Sequence, residues 1–313
     1  MNFGTIFIST ETPDICLIAQ GGGIGDELFR DFVNVIYIEL SSWCNRRCDY
    51  CPVAQHTRKQ RCMENLVFDR IVDELVKLDY RNTISLSLYN EPLCDTNLLD
   101  RIAIIREKLP FAYIRFNSNG DYLTEEYIDK LSASGTKEMQ ITVHFGSDEQ
   151  WDDGLAEKKV RGFFERLNIP YEIKSVIPGH NVTTDIIYKG IRILVLANNW
   201  EQDGNSRGGI VEHLNCDNRM APCSNPFREI AIDIDGNFRQ CCNIYVTAKP
   251  IANVKEVSLV DFFLSDEMNA LRRELLVFSD KANSACRTCN TFDYSMKYKE
   301  EEWNERWKSY GKC

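Results

Sequence analysis

Three cysteines, Cys44, Cys48 and Cys51, follow directly after a predicted strand and are separated by three and two residues. This spacing lets three thiolates converge from a single short loop. A structural zinc ion or a closed iron–sulfur cluster takes four protein ligands, so three thiolates on a four-iron cluster leave one iron open to a cofactor. A zinc site completed by Cys62 is the alternative. The spacing and the preceding strand favour the open cluster.

The composition is that of a large protein with a sizeable apolar core. Thirteen cysteines among 313 residues indicate metal ligation rather than disulfides, because no basic signal-peptide pattern follows Met1. No run approaches the roughly 18 apolar residues that cross a bilayer. Acidic residues exceed basic ones by 47 to 37, for a net charge of −10, and no basic stripe is present to neutralise phosphates. We therefore predict a cytoplasmic protein that binds neither nucleic acid nor membrane.

Residues 33–200 alternate β-rich segments with amphipathic helical ones, which is typical of βα units around a parallel sheet. Apolar residues recur at helical spacing in 65–78, and the segment 124–131 precedes Gly135, a common residue just after a helix end. The predicted strands are 33–40, 83–89, 113–117, 138–145, 171–177 and 191–196. The sequence therefore predicts an α/β fold.

A second, smaller region begins near residue 212. An Asp235-Gly236 turn between apolar segments predicts a β-hairpin, and helices are predicted at 258–276 and 293–310. Four cysteines of this region also lie in groups: Cys223, Cys241, Cys286 and Cys289. Four thiolates can close a cluster completely, and zinc is the alternative that the spacing leaves open.

The first cysteine motif, with Tyr50 directly before its third cysteine, resembles the signature of the radical S-adenosylmethionine (SAM) superfamily. The resemblance implies a partial (β/α)6 barrel in which the amino and carboxylate groups of SAM bind the open iron. One electron then cleaves SAM to methionine and a 5′-deoxyadenosyl radical, chemistry of the cofactor that the protein positions. On this basis, residues 1–32 are expected to form an N-terminal extension, 33–211 the barrel and 212–313 a small auxiliary domain.

Three predicted strands end in elements that resemble SAM-contacting segments of the family, in the same order. Leu88-Tyr89-Asn90-Glu91-Pro92 is similar to the family's GGEP element, with Asn90 at a glycine position, and asparagine tolerates left-handed backbone. Asn117-Ser118-Asn119-Gly120 resembles the element near the ribose and carboxylate. The fourth strand ends near His144. The implied SAM contacts are Tyr50, Asn90, Glu91, Ser118, Asn119 and His144.

The second cysteine region resembles the twitch domain, a shortened SPASM domain with one [4Fe–4S] cluster. Its implied ligands are Cys223, Cys241, Cys286 and Cys289, which gives the chain two [4Fe–4S] clusters and SAM as cofactors. The elements YNEPL, TVHFG, SRGGI and CRTCN are similar to those of 2-deoxy-scyllo-inosamine dehydrogenase type enzymes. This implies a hydroxyl-bearing cyclitol or sugar between the clusters, contacted by Tyr89, His144 and Arg207. A reductant such as flavodoxin or ferredoxin is the implied protein partner.

Cys242 departs from the dehydrogenase pattern, which has an aromatic residue directly after the second cluster cysteine. A thiol can return a hydrogen atom to a substrate radical, as in twitch enzymes of the neomycin C epimerase type. We therefore expect epimerisation of a carbinol carbon in an aminoglycoside, aminocyclitol or related sugar, with Cys242 as the hydrogen donor. Two-electron oxidation of the alcohol to a ketone is the first alternative. Modification of a peptide is a further one, and an iron–sulfur electron carrier is the non-enzymatic alternative.

Overall fold

The computed structural model describes residues 24–146, 148–215, 223–246, 248–276 and 284–289. The predicted helix at 293–310 and residues 1–23 of the predicted N-terminal extension lie outside the described residues. The remainder of that extension forms helix α1 (Ile24–Phe32). Phe29 of α1 is fully buried and meets the rings of Tyr80 and Phe263 edge-on, with centroids 6.1 and 5.7 Å apart. This helix is therefore packed into the core.

The strands of the described residues form one sheet. They are β1 (Val35–Ile38), β2 (Thr83–Ser85), β3 (Tyr113–Ser118), β4 (Glu138–Thr142), β5 (Ser175–Ile177), β6 (Asn181–Tyr188), β7 (Ile191–Asn198), β8 (Glu229–Ile232), β9 (Asn237–Arg239) and β10 (Ala252–Asn253). Their order across the sheet is β10-β9-β8-β1-β2-β3-β4-β7-β6-β5. The central strands from β8 to β7 run parallel, and both edges are antiparallel. The predicted α/β fold around a parallel sheet is confirmed.

Helices connect the parallel strands. They are α2 (Pro52–Gln55), α3 (Asn65–Lys77), α4 (Leu98–Lys108), α5 (Glu125–Ser134), α6 (Asp153–Leu167), α7 (Trp200–Asp203), α8 (Asn225–Arg228), α9 (Leu259–Leu264), α10 (Asp266–Leu276) and α11 (Ser284–Arg287). Short 3₁₀ turns cover Pro92–Cys94 and Glu212–Leu214. The Thr124 side chain accepts a hydrogen bond from the Tyr127 amide at the start of α5, and Gly135 ends that helix at φ 104°. The sequence predicted the end of this helix from Gly135.

The strand prediction at 171–177 is wrong in two respects. Only β5 forms there, and it pairs antiparallel with β6 at the edge instead of joining the parallel series. Strand β6 was not predicted. It forms a hairpin with β7 around Lys189 and Gly190, whose φ angles are 49° and 78°. Two residues with positive φ make a tight hairpin turn possible without a helical crossover, so the chain reverses where a βα unit was expected.

The two faces of the parallel strands differ in chemistry, because side chains alternate along a strand. One face carries apolar side chains with no exposed surface, such as Ile36, Ile84 and Ile114, and belongs to the core. The opposite face carries polar side chains in register across the sheet: Tyr37 lies beside Ser85, and Ser85 beside Arg115. The fold therefore places a polar surface on the inside of the partial barrel.

The predicted hairpin around Asp235-Gly236 is confirmed. Strands β8 and β9 are antiparallel, and Gly236 turns the chain at φ 83°. Strand β8 also pairs with β1, so the hairpin extends the barrel sheet. Ala231 pairs with Arg239, and the chain after β9 therefore runs back along β8 toward Glu229. This brings the Cys241-Cys242 pair to the end of the barrel where the parallel strands begin.

Candidate active site

The loop after β1 gathers the first three predicted ligands. Cys51 donates its amide to the Cys48 carbonyl at 2.9 Å and precedes Pro52, the first residue of α2. All three thiols are free and half-buried. The pKa of Cys44 is raised to about 11, mainly by burial and to a smaller extent by the nearby Glu91, Cys51 and Cys48. Thiols grouped this closely need a cationic centre to become thiolates together, which fits an iron–sulfur cluster.

The loop after β2 is tied to the loop after β3 through Glu91. Its carboxylate accepts hydrogen bonds from the Ser118 hydroxyl at 2.6 Å, the Asn119 amide at 2.7 Å and the Leu93 amide at 3.0 Å. The Glu91 amide in turn donates to the Trp43 carbonyl, one residue before the cysteine loop. The predicted SAM contacts Glu91, Ser118 and Asn119 are therefore brought together, with Glu91 as the connection.

Polar side chains also fasten the cysteine loop to the loop after β3. Arg46 pairs with Asp121 through two hydrogen bonds of 2.7 and 2.6 Å. Asn45 accepts from the Asn119 side-chain amide at 2.8 Å and donates to Asp121 at 2.7 Å. Asn45, Arg46 and Asp121 were not predicted to be site residues. Two sequence features could have identified them. One is the acidic residue directly after Asn119-Gly120, and the other is the pair of arginines between the cysteines.

Asn90 offers a hydrogen-bond donor for the methionine end of SAM. Its side-chain oxygen accepts from the Leu88 amide at 3.0 Å. Its side-chain nitrogen is buried and has no partner within the described part of the chain. An unpaired buried donor is costly, and the family resemblance places the methionine end of SAM at this element, where the methionine carboxylate is the group that could accept from it. The residues present therefore fit the cofactor.

An aromatic group lies beside the cysteine loop. The Tyr50 hydroxyl is hydrogen-bonded to Nδ1 of His144, and the Tyr50 ring stacks on Trp200, with centroids 5.0 Å apart and planes 18° apart. The pKa of His144 is lowered to about 4, mainly by burial and also by the charge of Arg46. The imidazole is therefore neutral at physiological pH. Trp200 was not predicted, although its position just after β7 was a usable signal.

The second group of predicted ligands surrounds Cys241. Cys223, Cys286 and Cys289 are buried. Burial raises the pKa of Cys241 well above its usual range, and Cys223 and Cys286 are among the nearby groups that raise it further. Among the described residues, no three Cys, His, Asp or Glu side chains are grouped for a single metal ion. A four-iron cluster does not need such a group, because each thiolate binds a different iron.

Cys242 is held separately from these ligands. Its amide donates to the Glu229 carboxylate at 3.2 Å, and its carbonyl accepts from the Tyr89 hydroxyl at 2.8 Å. Its thiol lies near the Glu229 carboxyl and the Tyr37 hydroxyl, and both groups influence its pKa. Burial raises the pKa of Glu229 to about 7. Glu229 and Tyr37 were missed because their proximity to Cys242 depends on strand pairing.

Arg207 lies in the same neighbourhood, where its charge acts on both Tyr89 and Cys242. Its backbone adopts φ 52°, a left-handed conformation that non-glycine residues rarely take. The backbone amide donates to the Asn205 side chain at 2.8 Å, and the guanidinium donates to Asn243 at 2.9 Å. Three predicted catalytic residues, Arg207, Tyr89 and Cys242, therefore share one neighbourhood. The fourth, His144, lies with Tyr50 instead.

Two family models match this chain. Residues 38–190 match the radical SAM superfamily, and residues 223–290 match SPASM, an iron–sulfur cluster-binding domain. The chain therefore carries a radical SAM domain followed by an iron–sulfur cluster-binding SPASM domain. These domains imply SAM and two [4Fe–4S] clusters as the cofactors.

Known proteins resemble the chain over most of its length. The S-adenosyl-L-methionine-dependent 2-deoxy-scyllo-inosamine dehydrogenase of Niallia circulans is 27% identical over 267 residues, which are 85% of this chain and 94% of that protein. The crystal structure of BtrN in complex with AdoMet and 2-DOIA matches with a TM-score of 0.66 and 23% identity, over 83% of this chain and 93% of that one. The structure of hexahistidine-tagged anSMEcpe with bound AdoMet matches with a TM-score of 0.50 and 11% identity, over 88% and 94%. The structural matches establish a shared fold.

A helix that spans a membrane must be long and apolar. No helix of the described residues is both long enough and apolar enough to span a bilayer.

Proposed function

We propose that this radical SAM enzyme removes a carbinol hydrogen atom from an aminocyclitol or related sugar and oxidises that carbon to a ketone. The observation that supports this proposal most directly is that Arg207, Tyr89 and Cys242 lie together beside the second cysteine group, next to the polar face of the barrel. The curated relative, a dehydrogenase of an inosamine, supports oxidation over the expected epimerisation.

The predicted ligands and contacts have a defined task in this proposal. When bound, SAM and the first cluster supply a 5′-deoxyadenosyl radical, and the second cluster supplies a one-electron acceptor. Cys44, Cys48 and Cys51 hold the first cluster, while Asn90 donates its free amide hydrogen to the methionine end of SAM. The second cluster is held by Cys223, Cys241, Cys286 and Cys289. We also propose flavodoxin or ferredoxin as the reductant.

Arg207 orients the reacting hydroxyl in this proposal. A guanidinium presents several N–H donors in a fixed plane, and the Asn205 and Asn243 side chains fix its backbone and one of its nitrogens. Tyr89 contributes indirectly, because its hydroxyl already donates to the Cys242 carbonyl. Its role is therefore to fix the position of the Cys242 backbone beside the site. Such preorganisation reduces the entropic cost of reaching a reactive geometry.

Epimerisation is the second candidate because Glu229 and Tyr89 hold the Cys242 backbone, and the Cys242 thiol lies near the Glu229 carboxyl and the Tyr37 hydroxyl. A thiol fixed beside the polar face can return a hydrogen atom to a carbon radical. The product carbon would then carry a hydrogen that exchanges with solvent. Oxidation and epimerisation share the first hydrogen abstraction and differ only in the fate of the resulting carbon radical.

The experiment is anaerobic turnover of the reconstituted enzyme with SAM, a reductant and 2-deoxy-scyllo-inosamine in deuterated water. Oxidation predicts 5′-deoxyadenosine and a ketone that has lost two hydrogen atoms, without deuterium on the reacting carbon. Epimerisation predicts a product of substrate composition that carries one deuterium. Failure to form 5′-deoxyadenosine with this or any related sugar would contradict both.

A Cys242→Ser variant distinguishes oxidation from epimerisation. Oxidation should continue at about a third of the wild-type rate or faster, since no thiol is required. Epimerisation should stop. The matched control is Cys62→Ser, which removes an exposed thiol that lies beside Asp95 and should leave either reaction unchanged.

A further inference from the structure

The polar face of the sheet carries a row of hydrogen-bonding side chains that the cofactors and Cys242 do not explain. Arg115 and Asn117 lie on β3, and Gln140 lies on β4 as the register partner of Asn117. Because residues two apart on a strand share a face, these three side chains project from the same surface. All three are half-buried. They form a row of hydrogen-bonding groups, of the kind that binds the hydroxyls of a polar ligand.

Two members of this row have hydrogen-bonding capacity left over. Nε of Arg115 is buried and has no partner within the described residues. The Gln140 side chain makes no hydrogen bond to any other described residue. Buried donors without partners are rare because they lose the hydration that the unfolded chain provides. Arg115 Nε is such a donor, and the half-buried amide of Gln140 beside it is also free to bind, so a ligand on this face can supply the missing partners.

The charge of the row indicates what kind of ligand fits. Nη1 of Arg115 lies 3.4 Å from the Glu138 carboxylate, and Nη2 donates to the Asn117 side chain at 2.9 Å. Glu138 also pairs with Arg192 and accepts from the Tyr113 hydroxyl. The guanidinium charge is therefore already balanced, so its free N–H suits a neutral oxygen better than a phosphate. An amide such as Gln140 both donates and accepts, as a hydroxyl does.

We propose that Arg115 and Gln140 bind the ring hydroxyls of a neutral polyol face of the substrate, within the barrel and between the two cysteine groups. This assignment rests on the proposed function only for the substrate class, a hydroxylated ring. Arg115 donates from Nε to one ring oxygen, and Gln140 donates to and accepts from a neighbouring hydroxyl. Asn117 acts as the fixed support of Arg115.

The test measures binding rather than turnover, by calorimetry on the anaerobic, SAM-loaded enzyme. The probes are 2-deoxy-scyllo-inosamine, myo-inositol and cyclohexylamine, the last being a ring with an amine and no hydroxyl. We expect Gln140→Leu to weaken binding of a hydroxylated ring by about three- to tenfold, the value of one hydrogen bond. Cyclohexylamine binding should not change. The thermal midpoint should also be preserved, because Gln140 makes no described hydrogen bond that could be lost.

Arg115→Met should produce the same selective loss, and Arg192→Met is its matched control. Both arginines pair with Glu138, but the Arg192 side chain is 48% exposed while that of Arg115 is 23% exposed. Equal losses for cyclohexylamine and the polyols, or no loss in either variant, would overturn the assignment. So would a wild-type enzyme that binds neither polyol. Binding of myo-inositol without 2-deoxy-scyllo-inosamine would instead reject the proposed aminocyclitol and leave the hydroxyl-binding row standing.

Discussion

His144 is a neutral imidazole because its surroundings disfavour a proton. Burial is the largest cause of its lowered pKa of about 4, and the positive charge of Arg46 adds to it, while Asp121 acts in the opposite direction. Its Nδ1 is hydrogen-bonded to the Tyr50 hydroxyl. Protonation would place a charge next to the predicted cluster loop and disturb this bond. His144 therefore serves the site as an uncharged hydrogen-bonding group.

This environment predicts a loss of stability on mild acidification. In the unfolded chain a histidine takes up a proton near pH 6.5, whereas His144 in the folded chain does so only near pH 4. The stability it contributes is complete above pH 6.5 and is lost as the pH falls toward 4. When the pH is lowered from about 7.5 to 5.5, we expect the unfolding free energy of His144→Gln to fall by about 1 kcal/mol less than that of the wild type. Urea denaturation at the two pH values measures this difference. Identical pH slopes would contradict the assignment.

The grouping of the first cysteines in one loop could be predicted from their local spacing, whereas the strand-end elements were recognised from a family resemblance. Cys44, Cys48 and Cys51 are recognised within eight residues of sequence. Glu229 and Tyr37 could not be found in this way, since their link to Cys242 exists only after β8 pairs with β1 and β9 turns back. Residues that act through strand pairing leave no local pattern.

At the scale of elements, the same distinction separates the elements that were predicted from strand β6, which was missed. Helical spacing and glycine stops identified α3 and α5. Strand β6 has the sequence Asn-Val-Thr-Thr-Asp-Ile-Ile-Tyr, in which the polar residues Thr183 to Asp185 interrupt the apolar ones. Its partner β7 supplies the apolar side chains of that hairpin. Strand β6 lies between β7 and β5, and a strand of mixed polar and apolar residues resembles a loop until its neighbours are known.

Gly120 fixes how the loop after β3 leaves the sheet. It adopts φ 71°, and an added Cβ would lie 2.8 Å from both Ile141 and Phe163 side-chain atoms. Gly120→Ala should therefore cost both backbone strain and overpacking, together about 2 to 4 kcal/mol of unfolding free energy. It should also weaken SAM binding, because Ser118 and Asn119 are held by the same loop.

The control for this change is Gly190→Ala. Gly190 has a similar φ of 78°, but an added Cβ would meet nothing within 4 Å. Only the backbone strain should remain, about 1 kcal/mol. Urea denaturation of both variants and calorimetric titration of each with SAM distinguish the two contributions. Equal losses of stability would show that the contacts with Ile141 and Phe163 relax freely.

At the scale of the whole molecule, the two cysteine groups are joined by a network that includes a fully buried carboxylate. Glu39, just after β1, pairs with Arg58 from the first cysteine loop and accepts the Ile234 amide from the hairpin turn. Arg58 also donates to the Tyr89 carbonyl. The loop that carries the first cysteines is therefore fastened directly to the hairpin that leads to the second group.

Arg58→Met tests whether this link holds the two halves of the site together. Removing the cation leaves Glu39 charged and buried, which costs about 3 to 5 kcal/mol. Arg61→Met is a close control, because Arg61 lies on the same loop and pairs with Asp235 of the same hairpin, yet the two side chains are 41% and 49% exposed. Its loss should stay below about 1 kcal/mol. Guanidinium denaturation gives the two free energies, and iron content per chain shows whether Arg58→Met also lowers cluster occupancy. Similar small losses for both variants would mean that the buried pair does not join the two cysteine groups.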